Sequence, residues 1–437
     1  MKAAFATLGC KVNQYETQAL KELFRKEGYE ILSGEGPADV CVINTCSVTN
    51  MADRKSRQAI RHFKKMNPDC IVAVTGCYAQ TGGAAVAEME EVDIIAGTNE
   101  KSRLPELVRI FMEKKNRLCC VLDYDALTAF DEMGAVEAME GRTRAYIKIQ
   151  EGCNRFCSYC IIPYARGNVR SRSEEEILRE AGKLIENGCR EIVLTGINTA
   201  LYGCEAGGEP KLHELIEKIS RIDGEYRIRL SSLEPTVIHA DYIRKLFSCE
   251  RLCHHVHLSI QSGSDAVLKR MNRRYDREEY LEIVDALKKF DENYGITTDM
   301  IVGFPGETEE DFADSVRMTE QVAFCKVHVF KYSRRKGTPA EEMPDQVSGE
   351  AKNRRSDALI RAAAHSADRF MERNLGTARS VLFEEYLPET GTAVGLSDNY
   401  LKVYVETDEK TGNFLINSIE NVLLENRFLD GIKGILI

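Results

Sequence analysis

The stretch 145-AYIKIQEGCNRFCSYC-160 decides the reading of the chain. Its first residues form a short apolar, β-branched run, the pattern of a buried strand. A glycine ends the run, and three cysteines follow, Cys153, Cys157 and Cys160. Thiolates that close together hold a metal, and a metal held by thiolates ordinarily takes four ligands. Packing is a poor use of three adjacent thiols. Zinc needs a fourth ligand at a pair spacing such as C-x2-C, and no Cys or His follows at that spacing; His213 sits alone in a helical period. A 4Fe–4S cluster with one open iron fits better, and an open iron is where a substrate or cofactor binds.

The surroundings give this loop a place. Between residues 144 and 332, apolar strands fall at 145–149, 192–194, 226–230, 256–260, 297–302 and 326–330. Helical periods separate them, as at 174–186, 212–222, 277–290 and 309–322. Six βα units make an incomplete (β/α)6 TIM-like barrel, two units short of a closed one. Its open side admits a large substrate. In such barrels the loops after the strands carry the active site. The unusual stretches fall there: 195-TGIN-198, 231-SSLEP-235, 259-SIQSGS-264, 302-VGFPGET-308 and 332-YSRRKG-337.

Upstream, residues 2–116 alternate apolar runs (3–8, 40–43, 71–74, 94–96) with helical periods (14–26, 51–65). That is a βαβ pattern and a parallel sheet, without a dinucleotide GxGxxG. Cys10, Cys46 and Cys77 each lie a residue or two past one of these runs. Such positions share the carboxyl edge of a parallel sheet, where ligands bind. The spacing alone leaves a convergent metal site and plain packing both open. Cys41, Cys70, Cys119, Cys120, Cys189, Cys249, Cys253 and Cys325 read as core, and Cys204 as a loop residue.

Residues 119–143 are acidic and weakly periodic, a connector. A helical stretch spans 349–374. Beyond it VLFEEY, TAVGLS, YLKVYVET and NFLINSI read as strands of a small antiparallel barrel, a common shape of RNA-binding accessory domains.

The whole chain has 437 residues, 43% hydrophobic and 29% charged, which suits two to four globular domains. No apolar run approaches the roughly 18 residues of a membrane span. The first apolar run is too short for a signal peptide, so the expected location is the cytoplasm without membrane contact. Fifteen cysteines, an odd number, argue against a disulfide framework in that compartment. A net charge of −10 disfavours nonspecific nucleic-acid binding, so RNA contacts must come from local patches. One is the helix face carrying Arg54, Arg57, Arg61 and Lys65, opposite Ala52, Ala59, Ile60 and Phe63. Others are Arg166/Arg170/Arg172, Arg270/Arg273/Arg274 and Arg334/Arg335/Lys336, which follow barrel motifs and so border the pocket, ready for phosphate or carboxylate. The C-terminal region is acidic, leaving Arg379, Tyr400, Lys402 and Arg427 as its candidate RNA contacts.

CxxxCxxC after a first barrel strand, with Tyr159 before the last cysteine, resembles the radical S-adenosylmethionine superfamily. The resemblance implies that S-adenosylmethionine chelates the open iron and is cleaved to a 5′-deoxyadenosyl radical. It places Tyr159 on the adenine, Thr195 and Gly196 on the methionine amino group, Ser259 and Gln261 at the ribose or methionine, and Ile301 to Gly303 at the adenine edge.

Three strand-end cysteines before that barrel, and a small β-barrel after it, together resemble the methylthiotransferases over nearly the whole chain. The implied domains are 1–118 (N-terminal), 119–143 (linker), 144–370 (radical barrel) and 371–437 (a TRAM-like, tRNA-binding module). The family resemblance puts a second 4Fe–4S cluster on Cys10, Cys46 and Cys77. LGCKVNQYET, EGCNRFCSYCIIPYARG, LTGIN and HLSIQSGSDAVLKRMNRRY are most similar to the branch that methylthiolates carbon 2 of N6-threonylcarbamoyladenosine at position 37 of tRNA. The tripeptide Lys11–Val12–Asn13 is the discriminator, where other branches read GCQMN or GCPKN. A low-potential electron donor of the flavodoxin or ferredoxin type is implied as a partner. Still open are the same chemistry on another tRNA adenosine or a ribosomal-protein aspartate, and a zinc-binding, non-catalytic RNA module.

Overall fold

A computed structural model describes residues 1–34, 36–137, 143–247 and 249–437. Residues 138–142 of the connector lie outside these. The N-terminal domain is a six-stranded sheet of β1 (Lys2–Thr7), β2 (Glu30–Ile31), β3 (Val40–Thr45), β4 (Ile71–Gly76), β5 (Ile94–Ala96) and β6 (Leu118–Cys120). Its order is β2-β1-β3-β4-β5-β6, parallel throughout. Every residue of β3 and β4 is buried, because apolar clusters cover both faces of the sheet. β2 and β6 are edge strands too short to show a period, and β6 extends into the stretch that reads as connector. The helices that matter for the site are α1 (Lys11–Lys26), α2 (Asn50–Met66) and α3 (Cys77–Thr81). Thr49 caps α2 by accepting the Ala52 N–H.

The second domain contains β7 (Arg144–Lys148), β8 (Gln150–Glu151), β9 (Arg170–Ser171), β10 (Glu191–Thr195), β11 (Arg227–Leu230), β12 (Ser232–Leu233), β13 (His255–Leu258), β14 (Gly295–Val302) and β15 (Lys326–Lys331). Two parallel sheets, β11-β10-β7 and β12-β13-β14-β15, make the six-unit arc; β8 and β9 form a separate antiparallel pair. The third expected strand is β11, and the stretch after it, expected as a loop, contains a further short strand, β12, which pairs with a different neighbour. Ile147, Ile192, Leu194, Ile228, Leu230, Val256 and Leu258 pack in the core beneath the helices. The alternate residues of the same strands face the other way, into the arc, and are largely polar: Lys148, Arg227, Arg229, His255, His257 and Asp299. Tyr146 and Val193 of this inner face instead join the core of the N-terminal domain, which therefore seals part of the open side.

Helix Gly349–Asn374 leads to a closed barrel of β16 (Ala378–Leu387), β17 (Thr392–Ser397), β18 (Lys402–Glu406), β19 (Ile419–Phe428) and β20 (Gly431–Leu436). The barrel is not wholly antiparallel, since β18 pairs with β20 in parallel. NFLINSI is not one strand: Asp408 caps helix Glu409–Leu415 by accepting the Thr411 N–H, and β19 starts only at Ile419. The barrel docks onto the N-terminal ends of the radical-barrel strands. Arg227 and Arg229 donate to the carbonyls of Ser380 and Asp398 at 3.0 and 2.9 Å. Arg379 pairs with Asp291 at 2.8 Å, and Tyr400 stacks on His255 with ring centroids 4.1 Å apart. Arg379 and Tyr400 thus hold two domains together, and Arg427 and Lys402 pair with Asp368 and Asp430.

Candidate cluster sites and the cavity between domains

The sheet register brings the first cysteine trio to one edge. Thr7 lies beside Asn44, and Thr45 beside Gly76. The chain then turns through Gly9 (φ +107°) to Cys10, from Thr45 to Cys46, and through Gly76 (φ +95°) to Cys77. A Cβ on Gly9 would lie 2.9 Å from Cys46 Sγ, and one on Gly76 would lie 2.4 Å from the Thr45 carbonyl. Only glycine permits these turns. The three thiols are within electrostatic reach of one another. Cys10 opens onto a recess, yet the surrounding protein still raises its thiol; Arg166 opposes that shift and Cys77 adds to it. Burial, then Cys77, pushes the Cys46 thiol up to about 11. Arg166 Nε stands 3.2 Å from Cys77 Sγ.

Arg166 comes from the other domain and is fully buried. It donates to Glu16 at 2.6 Å, to Glu151 at 2.9 Å and to Asn13 Oδ1 at 2.7 Å. Lys148 and Lys101 complete the knot around Glu16 at 2.8 and 3.4 Å. Burial would raise the Glu16 carboxyl, but the three cations hold it well below the usual carboxylate range. Arg172 is likewise buried between Glu132, Glu180 and Tyr15, and Arg335 between Asp53, Asn50 and Ser47. Arg166, Arg170, Arg172 and Arg335 are therefore interior links and not surface anion sites; Arg274, Arg334 and Lys336 remain exposed.

The second trio sits in the loop after β7 and β8. Gly152 (φ +75°) admits no side chain, as a Cβ would lie 1.8 Å from the Asn168 carbonyl oxygen. The Cys160 N–H donates to the Cys157 carbonyl at 2.9 Å, and Ser158 anchors the loop to Met271 at 3.0 Å. Burial pushes Cys153 up to about 11 and raises Cys160 further, with the neighbouring thiols adding to the latter. Arg273 Nη1 lies 3.3 Å from Cys157 Sγ.

Each trio therefore crowds three thiols beside one guanidinium, an arrangement that becomes favourable when the sulfurs are thiolates on a cationic group. Among the described residues, no three His, Cys, Asp or Glu side chains are placed to hold a single metal ion. A 4Fe–4S cluster spreads its ligands over separate irons and does not require that convergence.

Cys153, Cys157 and Cys160 line a cavity of about 250 Å3 with Tyr159, Asn198, Glu234, Ser259, Gln261, Arg273 and Asp299. Asn198 Oδ1 is buried without a hydrogen-bond partner there, an acceptor open to a donor such as an ammonium group. An adjoining cavity of about 190 Å3 shares Tyr159, Gln261 and Asp299 as walls. Its other walls include Ile301, Phe330 and Tyr332, with Val48 and Thr49 two and three residues past Cys46. The two cavities thus run from one trio to the loop that carries the other. A larger cleft of about 340 Å3 around His213 and Cys249 contains neither trio.

Tyr159, Ser259, Gln261 and Ile301 are all in these walls. Thr195 and Gly196 are not: the Thr195 carbonyl accepts the Ile149 N–H at 2.9 Å, Gly196 packs on Gln150, and Ile197 and Asn198 reach the cavity. Gly303 donates to Glu307 at 2.7 Å and packs against Lys352, shaping the rim from behind. Arg54, Arg61 and Lys65 are exposed along α2, Arg61 facing Glu91 at 3.5 Å, while Arg57 is half-buried on the Tyr78 hydroxyl at 3.0 Å. The sequence reading did not single out Glu16, Glu234 or Asp299.

Two family profiles match the chain: "Radical SAM superfamily" over residues 147–319 and "Uncharacterized protein family UPF0004" over residues 2–97. A Bacillus subtilis protein named threonylcarbamoyladenosine tRNA methylthiotransferase MtaB is 42% identical over 93% of this chain and 90% of its own length. The chain belongs to the radical SAM methylthiotransferase family. Another methylthiotransferase of the MtaB name, from Chlamydia pneumoniae, is 39% identical over 98% of this chain and 97% of its own. A tRNA-2-methylthio-N(6)-dimethylallyladenosine synthase from Carboxydothermus hydrogenoformans is 34% identical over 99% and 98%. Among solved structures, the radical S-adenosylmethionine methyltransferase TsrM of Kitasatospora setae superposes with a TM-score of 0.59 at 15% identity, covering 78% of this chain and 76% of that one; that likeness shows the fold. As a methylthiotransferase the protein uses S-adenosylmethionine and two 4Fe–4S clusters. Among the described residues, no helix is long and apolar enough to cross a membrane.

Proposed function

We propose that this methylthiotransferase modifies carbon 2 of N6-threonylcarbamoyladenosine at position 37 of tRNA. In this reading Cys153, Cys157 and Cys160 hold one cluster, and Cys10, Cys46 and Cys77 hold the other. The observation that carries it is the pair of joined cavities, walled by the second trio at one end and by Val48 and Thr49 at the other. The relatives named for threonylcarbamoyladenosine, at 36–42% identity, support the choice of nucleoside.

When bound, the clusters and S-adenosylmethionine supply the low-potential electron, the hydrogen-abstracting radical and the methylated sulfur that an unactivated ring carbon requires. The chain's own residues bind and orient. Tyr159 presents its ring to both cavities, where an adenine can stack. Asn198 offers Oδ1 to the methionine ammonium, and Ser259 and Gln261 offer polar contacts to the ribose. Glu234 accepts from Arg155 at 2.8 Å and from Asn198 at 3.2 Å, so it ties the cysteine loop to the cavity wall. α2 follows directly on the cavity-lining Val48 and Thr49, which supports exposed Arg54, Arg61 and Lys65 as contacts for the anticodon stem. The C-terminal barrel, read as TRAM-like, adds a second RNA contact. The electron donor is a low-potential flavodoxin- or ferredoxin-like protein, and the enzyme works in the cytoplasm.

The test is mass analysis of nucleosides in tRNA from cells lacking this protein. Loss of 2-methylthio-N6-threonylcarbamoyladenosine, with its unthiolated precursor accumulating, supports the reading. An unchanged nucleoside profile, or loss of the dimethylallyl relative instead, refutes it.

A further inference from the structure

Lys11 is the first residue of α1, directly after Cys10. Its neighbours fix where it points. Val12 and Asn13 are buried, and Asn13 donates to the Leu8 and Thr45 carbonyls at 2.6 and 3.0 Å while accepting from Arg166 at 2.7 Å. Tyr15, one turn on and on the same helix face, packs with Tyr146 and Val193 of the arc, so α1 turns Lys11 toward the radical barrel. It lies within electrostatic reach of Arg229, Arg144, Glu191 and Asp299, and its charge is felt at His255 and His328. Those six residues come from β7, β10, β11, β13, β14 and β15. Only a position inside the arc is near all six.

The other cations there are engaged. Arg227 and Arg229 bind Glu191 at 2.7 and 2.8 Å, and Arg144 binds Glu384 at 2.7 Å. Asp299 faces His257 at 3.4 Å. The half-buried Lys11 ammonium has no hydrogen bond or ion pair among the described residues. An unpaired ammonium held among arginines is costly to desolvate, and an incoming anion relieves that cost. Asp299, which lies within that electrostatic reach, also walls both cavities.

We propose that Lys11 is a specificity-determining residue that binds the carboxylate of the substrate's N6 substituent. The inference rests on the proposed function and deepens it. A threonylcarbamoyl group ends in a carboxylate and carries a hydroxyl and a urea, which suit the polar inner face of the arc where His257, Thr297 and His328 are neighbours. A dimethylallyl group has no anion, and would leave the ammonium unpaired and further desolvated. Discrimination of this kind comes from the unpaired group left behind as much as from the pair gained.

The experiment uses the full-length enzyme, anaerobically reconstituted, two threonylcarbamoyl anticodon stem-loop RNAs and, as a control, a dimethylallyladenosine stem-loop. One carries N6-threonylcarbamoyladenosine; the other carries the same nucleoside with its carboxylate converted to the primary amide. RNA Kd and kcat/KM for methylthiolation are measured for wild type, Lys11→Met and Lys11→Arg, and compared as acid-to-amide ratios so that any general loss cancels. Wild type is expected to prefer the acid by about 10- to 100-fold in both quantities, the range of one charge-assisted hydrogen bond. Lys11→Met should bring both ratios close to one, and Lys11→Arg should keep most of the preference. A wild-type enzyme that treats acid and amide alike, or a Lys11→Met variant that keeps the wild-type ratio, overturns the assignment. Wild-type methylthiolation of a dimethylallyladenosine RNA, with none on either threonylcarbamoyl RNA, would overturn the proposed function itself.

Discussion

Replacing Arg166 by methionine tests how the two cysteine trios are coupled. The guanidinium joins the domains through Glu16, Glu151 and Asn13, and it sets Nε 3.2 Å from Cys77 Sγ. Methionine keeps much of the volume and removes the charge. Removing one partner of a buried ion pair costs about 3–5 kcal/mol, because the other charge stays behind unpaired. Here Lys148 and Lys101 remain on Glu16 at 2.8 and 3.4 Å, which argues for the lower end, about 3 kcal/mol. A loss of that size lowers the melting temperature of the apo-protein by about 3 °C if all 437 residues unfold together, and by about 6 °C if the radical barrel unfolds alone. Arg166→Lys keeps the charge but loses the fork and should fall between the two. A second readout is electronic. An N–H near a cluster sulfur raises the reduction potential, so the cluster proposed on Cys10, Cys46 and Cys77 should become harder to reduce in Arg166→Met, as followed by a spectroscopic redox titration. Unchanged melting together with an unchanged potential would refute the role given to Arg166.

Two further perturbations follow from the geometry. Gly152→Ala places a Cβ against the Asn168 carbonyl at a positive φ, so the loop carrying Cys153, Cys157 and Cys160 cannot close; reconstituted iron should fall by about half relative to wild type, one cluster of two, and full iron content would contradict this. Burial alone would raise the Glu191 carboxyl, but Arg229 and Arg227 hold it well below its ordinary range. Its contribution to stability is therefore present at neutral pH and is lost as pH falls below about 4.5. Glu191→Gln should melt lower at pH 7 and lose less than wild type between pH 5 and 3; parallel melting curves for the two proteins would rule this out.

The placement of the two cysteine trios was legible because their signal is local. Three thiols in one loop, and three at the ends of apolar runs, need only the strand assignments to fall on the right edge. The inner face of the barrel was harder to read. 227-RIRL-230 and 255-HVHL-258 alternate like half-exposed strands, yet both faces are covered, one by helices and the other by the neighbouring domains. Arg166, Arg172 and Arg335 look like surface charges because their partners are far away in sequence: Glu16, Glu132 and Asp53. The acidic character of the C-terminal barrel obscured a different use of its polar residues, since Arg379 and Tyr400 face the radical barrel. The break in NFLINSI was signalled only by Asp408, a helix cap several residues earlier. Glu16, Lys11 and Asp299 gain meaning only once α1 is seen lying against the arc, which no period within either domain reveals.

The central claim is that one chain holds two open clusters with separate duties, and it is tested most directly by counting two products in one reaction. Cys157→Ala and Cys46→Ala enzymes are reconstituted anaerobically and given S-adenosylmethionine, a reductant and substrate tRNA, and 5′-deoxyadenosine and methylthiolated nucleoside are quantified together. The account predicts neither product from Cys157→Ala. From Cys46→Ala it predicts near-normal 5′-deoxyadenosine with no methylthiolated nucleoside. Full methylthiolation by Cys46→Ala would contradict it.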